Sequence, residues 1–372
     1  MTELIDRVRS RKALEHAVKR FRERGIVLPT FAQLKEPHRA PARVIRALKR
    51  IGMQDAHPLN LVRITWHNEP VERGGQFGPV NYLALPPSLT GVKPTIVVLA
   101  GKWFPTGAHK VGAAYGCLAP KIVTGQFDPT NHKAVWPSTG NYCRGGAFDS
   151  ALMGCTAVAI LPEQMSKERF AWLRKIGAEV IATPGCESNV KEIYDECWRI
   201  RRTRPDCIIF NQFDEFGNAC WHYHVTGAAA EEVYTAIKTP RSRFAAFVSA
   251  TGSAGTIAAG DYLRTKFPRL KVVASEALQC PTLLMNGFGA HRIEGIGDKH
   301  VPWIHNVRNT DAVTAIDDEQ CMRLFRLFNE REGLKFLGRH GVPASLIERL
   351  SWLGISSIAN ILSSIKAAKY FE

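Results

Sequence analysis

The stretch AAFVSATGSAGTIAAGDYLRTKF, residues 245–267, decides the fold class. It opens with an apolar run of strand length (245–251), crosses five small residues (252–256) and continues into a helix-length segment, read as a helix over 254–267. An apolar run without polar alternation suits a strand covered on both faces, as in a parallel sheet. The same cadence recurs in TIVVLA (95–100), AVWPS (134–138), CTAVAILP (155–162), EVIATP (179–184), CIIFNQF (207–213) and KVVASEA (271–277). Helix-length segments at 144–153, 165–176 and 188–201 lie between most of these runs, so the chain reads as α/β. Ligands of open parallel sheets bind at the carboxyl ends of strands, where helix N-termini present free amides.

The chain has 372 residues, beyond the size at which one core stops growing, so about two domains are expected. No apolar stretch is long enough for a membrane span, and the first 25 residues lack the apolar region of a secretory signal. The nine cysteines are scattered and odd in number, which fits reduced thiols in a cytoplasmic enzyme. Of the net charge of +15, +9 falls in residues 1–50, with fourteen Lys/Arg against five Asp/Glu. No recognition helix, zinc finger or RNA-binding signature accompanies it, so nucleic acid is not expected as a partner. Leu4, Ile5, Val8, Leu14, Val18 and Phe21 recur at helical spacing, predicting an amphipathic helix over 2–24 that ends near Gly25. A second short helix is expected over 42–51. Both read as an extension that wraps the core or a partner subunit.

Three segments carry the chemistry. Pro105-Thr106-Gly107-Ala108-His109-Lys110-Val111 sets a lysine among small residues ahead of the apolar helical stretch VGAAYGCLAP. Desolvation there lowers a lysine pKa and suits it to Schiff-base chemistry. Trp136-Pro137-Ser138-Thr139-Gly140-Asn141-Tyr142 follows a strand and opens a helix, offering hydroxyls and amides to a carboxylate. Gly252-Ser253-Ala254-Gly255-Thr256 follows the strand 245–251, and its small residues let backbone amides approach a phosphate. It is neither a Walker A nor a G-x-G-x-x-G motif.

In this order the three segments resemble the fold-type II pyridoxal-phosphate enzymes, the tryptophan synthase β-like family, and within it the cysteine synthase and cystathionine β-synthase branch. Further segments extend the resemblance: Asn211-Gln212-Phe213 with His222-Tyr223-His224-Val225-Thr226-Gly227, then Ile293-Glu294-Gly295-Ile296-Gly297 with Val301-Pro302, and finally Gly354-Ile355-Ser356-Ser357. It implies an α/β, two-lobed, parallel-sheet architecture. Residues 61–113 and 216–372 would form a large cofactor-binding domain, 114–215 a smaller mobile one, and 1–60 a basic helical extension. The cofactor implied is pyridoxal 5'-phosphate, with no metal. Lys110 would hold it as a Schiff base, Asn141 would bond its 3′-oxygen, and Gly252, Ser253, Ala254, Gly255 and Thr256 would bind its phosphate. Ser356 would face the ring nitrogen. Ser138, Thr139 and Gly140, with Gln212, would hold the substrate carboxylate.

A serine hydroxyl leaves the ring nitrogen unprotonated, which favours loss of a β-substituent over racemisation. The resemblance therefore implies β-elimination or β-replacement on a serine- or cysteine-type amino acid through an aminoacrylate, with Lys110 as general base. An ammonia-lyase of the serine/threonine dehydratase type and a partner-gated β subunit are the alternatives. A homodimer is implied as well. Departures from the pattern include Ala108, His109, Ala254, Ile358, the Tyr142-Cys143-Arg144 sequence after Asn141, and an insertion over 333–352. Cys143 reads as a packed thiol rather than a nucleophile, Trp103-Phe104 as core, and Arg144 as a structural ion pair or an anion contact. His222 and His224 face apart.

Overall fold

The computed structural model describes residues 7–138, 140–185 and 190–371, apart from the side chains of Val71 and Val190. In chain order its strands are β1 (Tyr82–Leu85), β2 (Ile96–Leu99), β3 (Lys133–Pro137), β4 (Thr156–Pro162), β5 (Glu179–Thr183), β6 (Cys207–Ile209), β7 (Ala246–Ala250), β8 (Lys271–Ala277) and β9 (Ala312–Ile316). The chain divides into two compact units, one of Met1–Pro79 and Trp103–Val225, the other of Val80–Lys102 and Thr226–Glu372.

In the first unit a parallel sheet runs in the order β5-β4-β3-β6. The chain leaves β3 through the helix Asn141–Leu152 to β4, then through Lys167–Lys175 to β5, and returns through Val190–Thr203 to β6 on the other flank of β3. Strand order therefore reverses between β3 and β6, and a ligand crevice opens at the carboxyl ends of such a pair. Val135, Val158 and Ile160 of the sheet are buried with Ile193, Cys197 and Ile200 of the last crossover helix. Each buried valine or isoleucine contributes about 1.5–3 kcal/mol by leaving water. The strand expected over 207–213 stops at Ile209, because β6 pairs only with Lys133–Val135 and the chain then turns at Asn211.

The second unit carries a parallel sheet in the order β7-β8-β9 and a separate antiparallel pair, β1-β2. The TIVVLA run, grouped with the parallel strands in the sequence, thus lies in the antiparallel pair. The ten residues between Leu85 and Ile96 are too few for a crossover that would make the pair parallel. The helix expected from 254 begins at Ala258, since Ala254 turns left-handed at φ 58 and the chain becomes helical only beyond it. The 333–352 insertion forms the helices Arg331–Arg339 and Ala344–Leu350. Their Leu337, Leu346 and Leu350 are buried with Leu83, Leu85 and Ile358, so the insertion is part of this unit's core.

At the other end of the chain, the first helix spans Arg11–Arg24, capped by the Ser10 side chain and closed by Gly25 at φ 62. It starts later than the pattern suggested, and Met1–Asp6 lie outside the described residues. The buried face differs too: Ala13 and Ala17 are covered, whereas Val8 and Val18 are 46% and 39% exposed. The alanines let the helix lie close to its own unit. Ser10 approaches so tightly that a Cβ on Gly125 would sit 2.1 Å from its carbonyl oxygen. Arg20 donates to the carbonyls of Pro129 and Gly154 at 2.5 and 2.6 Å, and His16 Nδ1 lies 2.7 Å from Asp128 Oδ2.

Burial raises the Asp128 carboxyl, but bonds from Thr130, His16 and Asn131 outweigh it and hold the group at about 2. A folded-state value below the unfolded one, about 3.9, gives stability that is present above the unfolded value and lost as pH falls through the folded one. We expect Asp128→Asn to lower stability at neutral pH by roughly 2–3 kcal/mol and to flatten the acid limb between about pH 4 and pH 2. Urea unfolding across that range measures both; an acid limb as steep as in the unmodified chain would contradict the assignment.

Candidate active site

Lys110 is the first residue of the helix Lys110–Val123, and the small residues after it turn out to be contact points between helices. A Cβ on Gly112 would fall 2.2 Å from the Trp221 ring, and one on Gly116 would fall 2.3 Å from the Gly217 carbonyl. Gly145, in the helix Asn141–Leu152, presses against the Lys110–Val111 backbone, with 2.8 Å from its would-be Cβ to Val111 N. The lysine helix is thereby held by two neighbouring helices, at backbone distance at Gly145 and Gly116 and against the Trp221 ring at Gly112.

The Lys110 amine donates to Gln212 Oε1 at 2.9 Å. Gln212 is buried just beyond β6, and its carbonyl accepts from Asn218 Nδ2 at 3.0 Å. Burial pulls the Lys110 pKa down to about 8, against an opposing contribution from Cys117. A substantial fraction of the amine is then neutral and nucleophilic near physiological pH. Beside it, the His109 and His222 rings meet edge to face with centroids 5.0 Å apart. Burial and then the Lys110 charge bring His109 down to about 3, and burial, His109 and Lys110 together hold His222 well below its ordinary range. Both imidazoles stay neutral, so no second cation competes with the lysine.

Ser138 leaves the end of β3, with its backbone N–H on the Ile160 carbonyl and its hydroxyl accepting from Gly140 N at 3.2 Å. Asn141 opens the following helix with Gly140 at its cap. Thr139 lies outside the described residues. Ser138 and Gly140 follow β3 and Gln212 follows β6, so all three stand at the carboxyl ends of the two strands between which strand order reverses.

In the second unit, residues 252–256 link β7 to the helix Ala258–Lys266. Thr251 is fixed on both sides: its N–H and hydroxyl donate to the Ser275 carbonyl at 2.8 and 3.1 Å, and its own carbonyl accepts from Gly297 N at 2.9 Å. A Cβ on Gly252 would meet Ile296 Cα at 3.2 Å, so the 293–297 segment packs closely over the loop and would have to give way to a side chain there. The left-handed turn at Ala254 is a backbone form suited to gathering amides around an anion. Ser356 lies half-buried in the first turn of the helix Ile355–Phe371. Taken separately, the donor chemistry fits the two ends of a phosphate-bearing aldehyde: the partly neutral lysine of the first unit suits an aldehyde, and the small-residue loop of the second suits a phosphate.

Several weighed residues settle into structural roles. The Cys143 thiol is buried and pushed up to about 12, too high for a nucleophile. Phe104 is core, edge-on to Trp66 and Trp221. The Arg144 guanidinium lies 4.5 Å from the Trp172 ring centre, a cation–π contact in place of the ion pair considered from sequence. His222 and His224 occupy a π-helical turn, His222–Thr226, and reach different rings, His109 and Phe31. The histidine pairing beside Lys110 was missed in the sequence, where 113 positions separate the two rings; only the His109 departure hinted at it.

A family model described as pyridoxal-phosphate dependent enzyme matches residues 90–341. A probable cysteine synthase of Bacillus subtilis is 31% identical over 231 residues, which cover 62% of this chain and 73% of that protein. A cysteine synthase of Staphylococcus aureus is 28% identical over 268 residues, 71% of this chain and 78% of the relative. Among solved structures, an O-acetylserine dependent cystathionine β-synthase from Helicobacter pylori superposes with a TM-score of 0.65 at 21% identity, over 79% of this chain and 88% of that one. A cysteine synthase from Entamoeba histolytica gives 0.65 at 22%, over 78% and 80%. The fold is the one these enzymes share.

The depressed lysine value has a direct readout. In cofactor-free protein, labelling of Lys110 by an amine-specific reagent is expected to reach half its limiting rate near pH 8, against about 10.4 for an ordinary lysine. Peptide mapping of the labelled protein across pH checks it, and an ordinary midpoint would refute the desolvated environment.

Proposed function

Because this chain belongs to the pyridoxal-phosphate dependent enzyme family, we propose that it replaces or eliminates the β-substituent of a serine- or cysteine-type amino acid. The observation that carries the reading is Lys110: an amine held at 2.9 Å by Gln212 beside the strand-order reversal and lowered to about 8. Bound pyridoxal phosphate supplies the electron sink that acidifies the substrate's α-proton.

The chain's own residues do the rest. Lys110 Nζ takes the α-proton, since an amine with a value near working pH accepts and returns a proton efficiently. The β-substituent departs with the electrons of its bond to Cβ; in the replacement reaction a nucleophile then adds at Cβ and Lys110 returns the proton to Cα. Ser138, Thr139 and Gly140, ahead of a helix N-terminus, orient the substrate carboxylate, and Gln212 contributes its amide. Gly252, Ser253, Ala254, Gly255 and Thr256 would hold the cofactor's phosphate, Asn141 its 3′-oxygen and Ser356 its ring nitrogen. A hydroxyl at Ser356 would fix no proton on that nitrogen, which would favour departure of the β-substituent over competing outcomes. The neutral His109 and His222 leave Lys110 the basic group at this position.

The proposal includes a mobile lobe of about residues 114–215, a homodimer and a cytoplasmic location. Reduced thiols favour that location: eight cysteines among the described residues are unpaired. No helix among these residues is long and apolar enough to cross a membrane.

We expect the purified protein to carry a visible absorption band that Lys110→Ala abolishes, with kcat falling at least ~100-fold. Serine, O-acetylserine, cysteine, threonine and cysteate, added in turn, should shift the band with one of them. Keto acid release with and without sulfide then separates elimination from replacement. No band after addition of pyridoxal phosphate would overturn the reading.

A further inference from the structure

Three non-glycine residues among those described have positive φ, and only one of them, Thr106 at φ 66 and ψ −2, is β-branched. A β-branched side chain is the least suited to that region, because its Cβ substituents crowd the neighbouring carbonyl. Thr106 stands four residues before Lys110 and is followed by Gly107 at φ 77 and by Ala108 in extended conformation. Its side chain offers no compensation: it is buried, and its hydroxyl has no hydrogen-bond partner among the described residues. Such conformations persist where the surroundings over-determine them, and they concentrate at functional sites.

What over-determines this one is a distant glutamine. Thr106 N donates to Gln54 Oε1 at 2.9 Å, across 52 positions of sequence. The turn that presents Gln54 is itself locked. Gly52 N donates to Asp55 Oδ2 at 2.8 Å, and Asn60 Nδ2 ties the Gly52 and Asp55 carbonyls at 2.9 and 2.8 Å. Behind them the buried Arg63 donates to the Ile51 and Leu48 carbonyls and to Asn60 Oδ1, at 2.7, 2.9 and 2.9 Å. Arg63 and Asn60 are buried inside the unit, and apart from a bond from Arg63 to the Gly75 carbonyl at 3.1 Å their side-chain donors are committed to this turn and the helix end before it. On the far side, Gly107 N donates to the Phe104 carbonyl at 2.9 Å, and Phe104 is wedged between Trp66 and Trp221.

We propose that Gln54 is a positioning residue for Lys110: it holds the Thr106–Gly107 turn left-handed and so aims the first turn of the lysine helix. The inference rests on the reading of Lys110 as the cofactor lysine. Gln54 lies ahead of residues 90–341, so this brace is supplied from outside the segment the family model matches.

The test compares the unmodified chain with Gln54→Ala, Gln54→Glu and Thr106→Gly. The readouts are the pH midpoint of Lys110 labelling in cofactor-free protein, the rate at which added pyridoxal phosphate restores the visible band, and the thermal midpoint. Loss of one hydrogen bond predicts that Gln54→Ala slows band recovery about fivefold and moves the labelling midpoint up towards the ordinary lysine value. Gln54→Glu, which keeps an acceptor oxygen in place, should restore the recovery rate. With Thr106→Gly the turn needs no enforcement, so adding Gln54→Ala should cost less than about twofold. The proposal is overturned if Gln54→Ala changes only the thermal midpoint, if glutamate gives no rescue, or if the loss is equally large with glycine at 106. A band that survives Lys110→Ala would instead overturn the reading of Lys110, whatever Gln54 does.

Discussion

Backbone-to-backbone contact between helices sets the geometry of the first unit's site. At Gly112 the Trp221 ring packs flush on the lysine helix, and where Gly116 meets Gly217 the lysine helix and the helix Phe216–Trp221 touch backbone to backbone. Gly145 does the same on the lysine helix's opening turn. Close packing of this kind leaves little freedom for the helix to rotate or slide, because any shift drives backbone into backbone. Lys110 therefore emerges at a fixed place and direction, and Gln212, six residues before Asn218 of the neighbouring helix, is there to accept from it.

That placement also sets the electrostatics. An ammonium group removed from water loses solvation, and its proton is held less tightly as a result. The aromatic and imidazole surroundings reinforce this, since His109 and His222 are themselves too desolvated to carry charge. Gln212 binds the lysine without stabilising its charge as a carboxylate would. The result is a lysine partly neutral near physiological pH, reached by exclusion of water and not by a neighbouring cation.

The N-terminal stretch takes part in this arrangement. Residues that read as a basic extension dock through Ala13 and Ala17, through Arg20 on two carbonyls, and through Gln54 on the loop before Lys110. Their exposed charges account for much of the basic character of the chain, while the few that turn inward tie the stretch to its own unit. In the second unit the 333–352 insertion likewise completes a core through Leu337, Leu346 and Leu350.

The sequence alone determined the strand-loop-helix cadence, the α/β class and the segments around Lys110, Asn141 and Gly252, because apolar runs and small-residue turns are local signals. Strand positions held to within a residue or two for most runs, and failed where pairing decided the outcome: β6 ends at Ile209 and β2 joins an antiparallel partner. The tertiary structure alone decided what those residues touch. Gly112 and Gly116 fall within the stretch that reads as an apolar helix after Lys110, and only folding revealed the tryptophan and the carbonyl against them. The Lys110–Gln212 bond, the His109–His222 contact and the Gln54 brace join positions 102, 113 and 52 apart. No periodicity encodes such distances; they follow from how helices with small faces pack, and packing exists only once the chain has closed on itself.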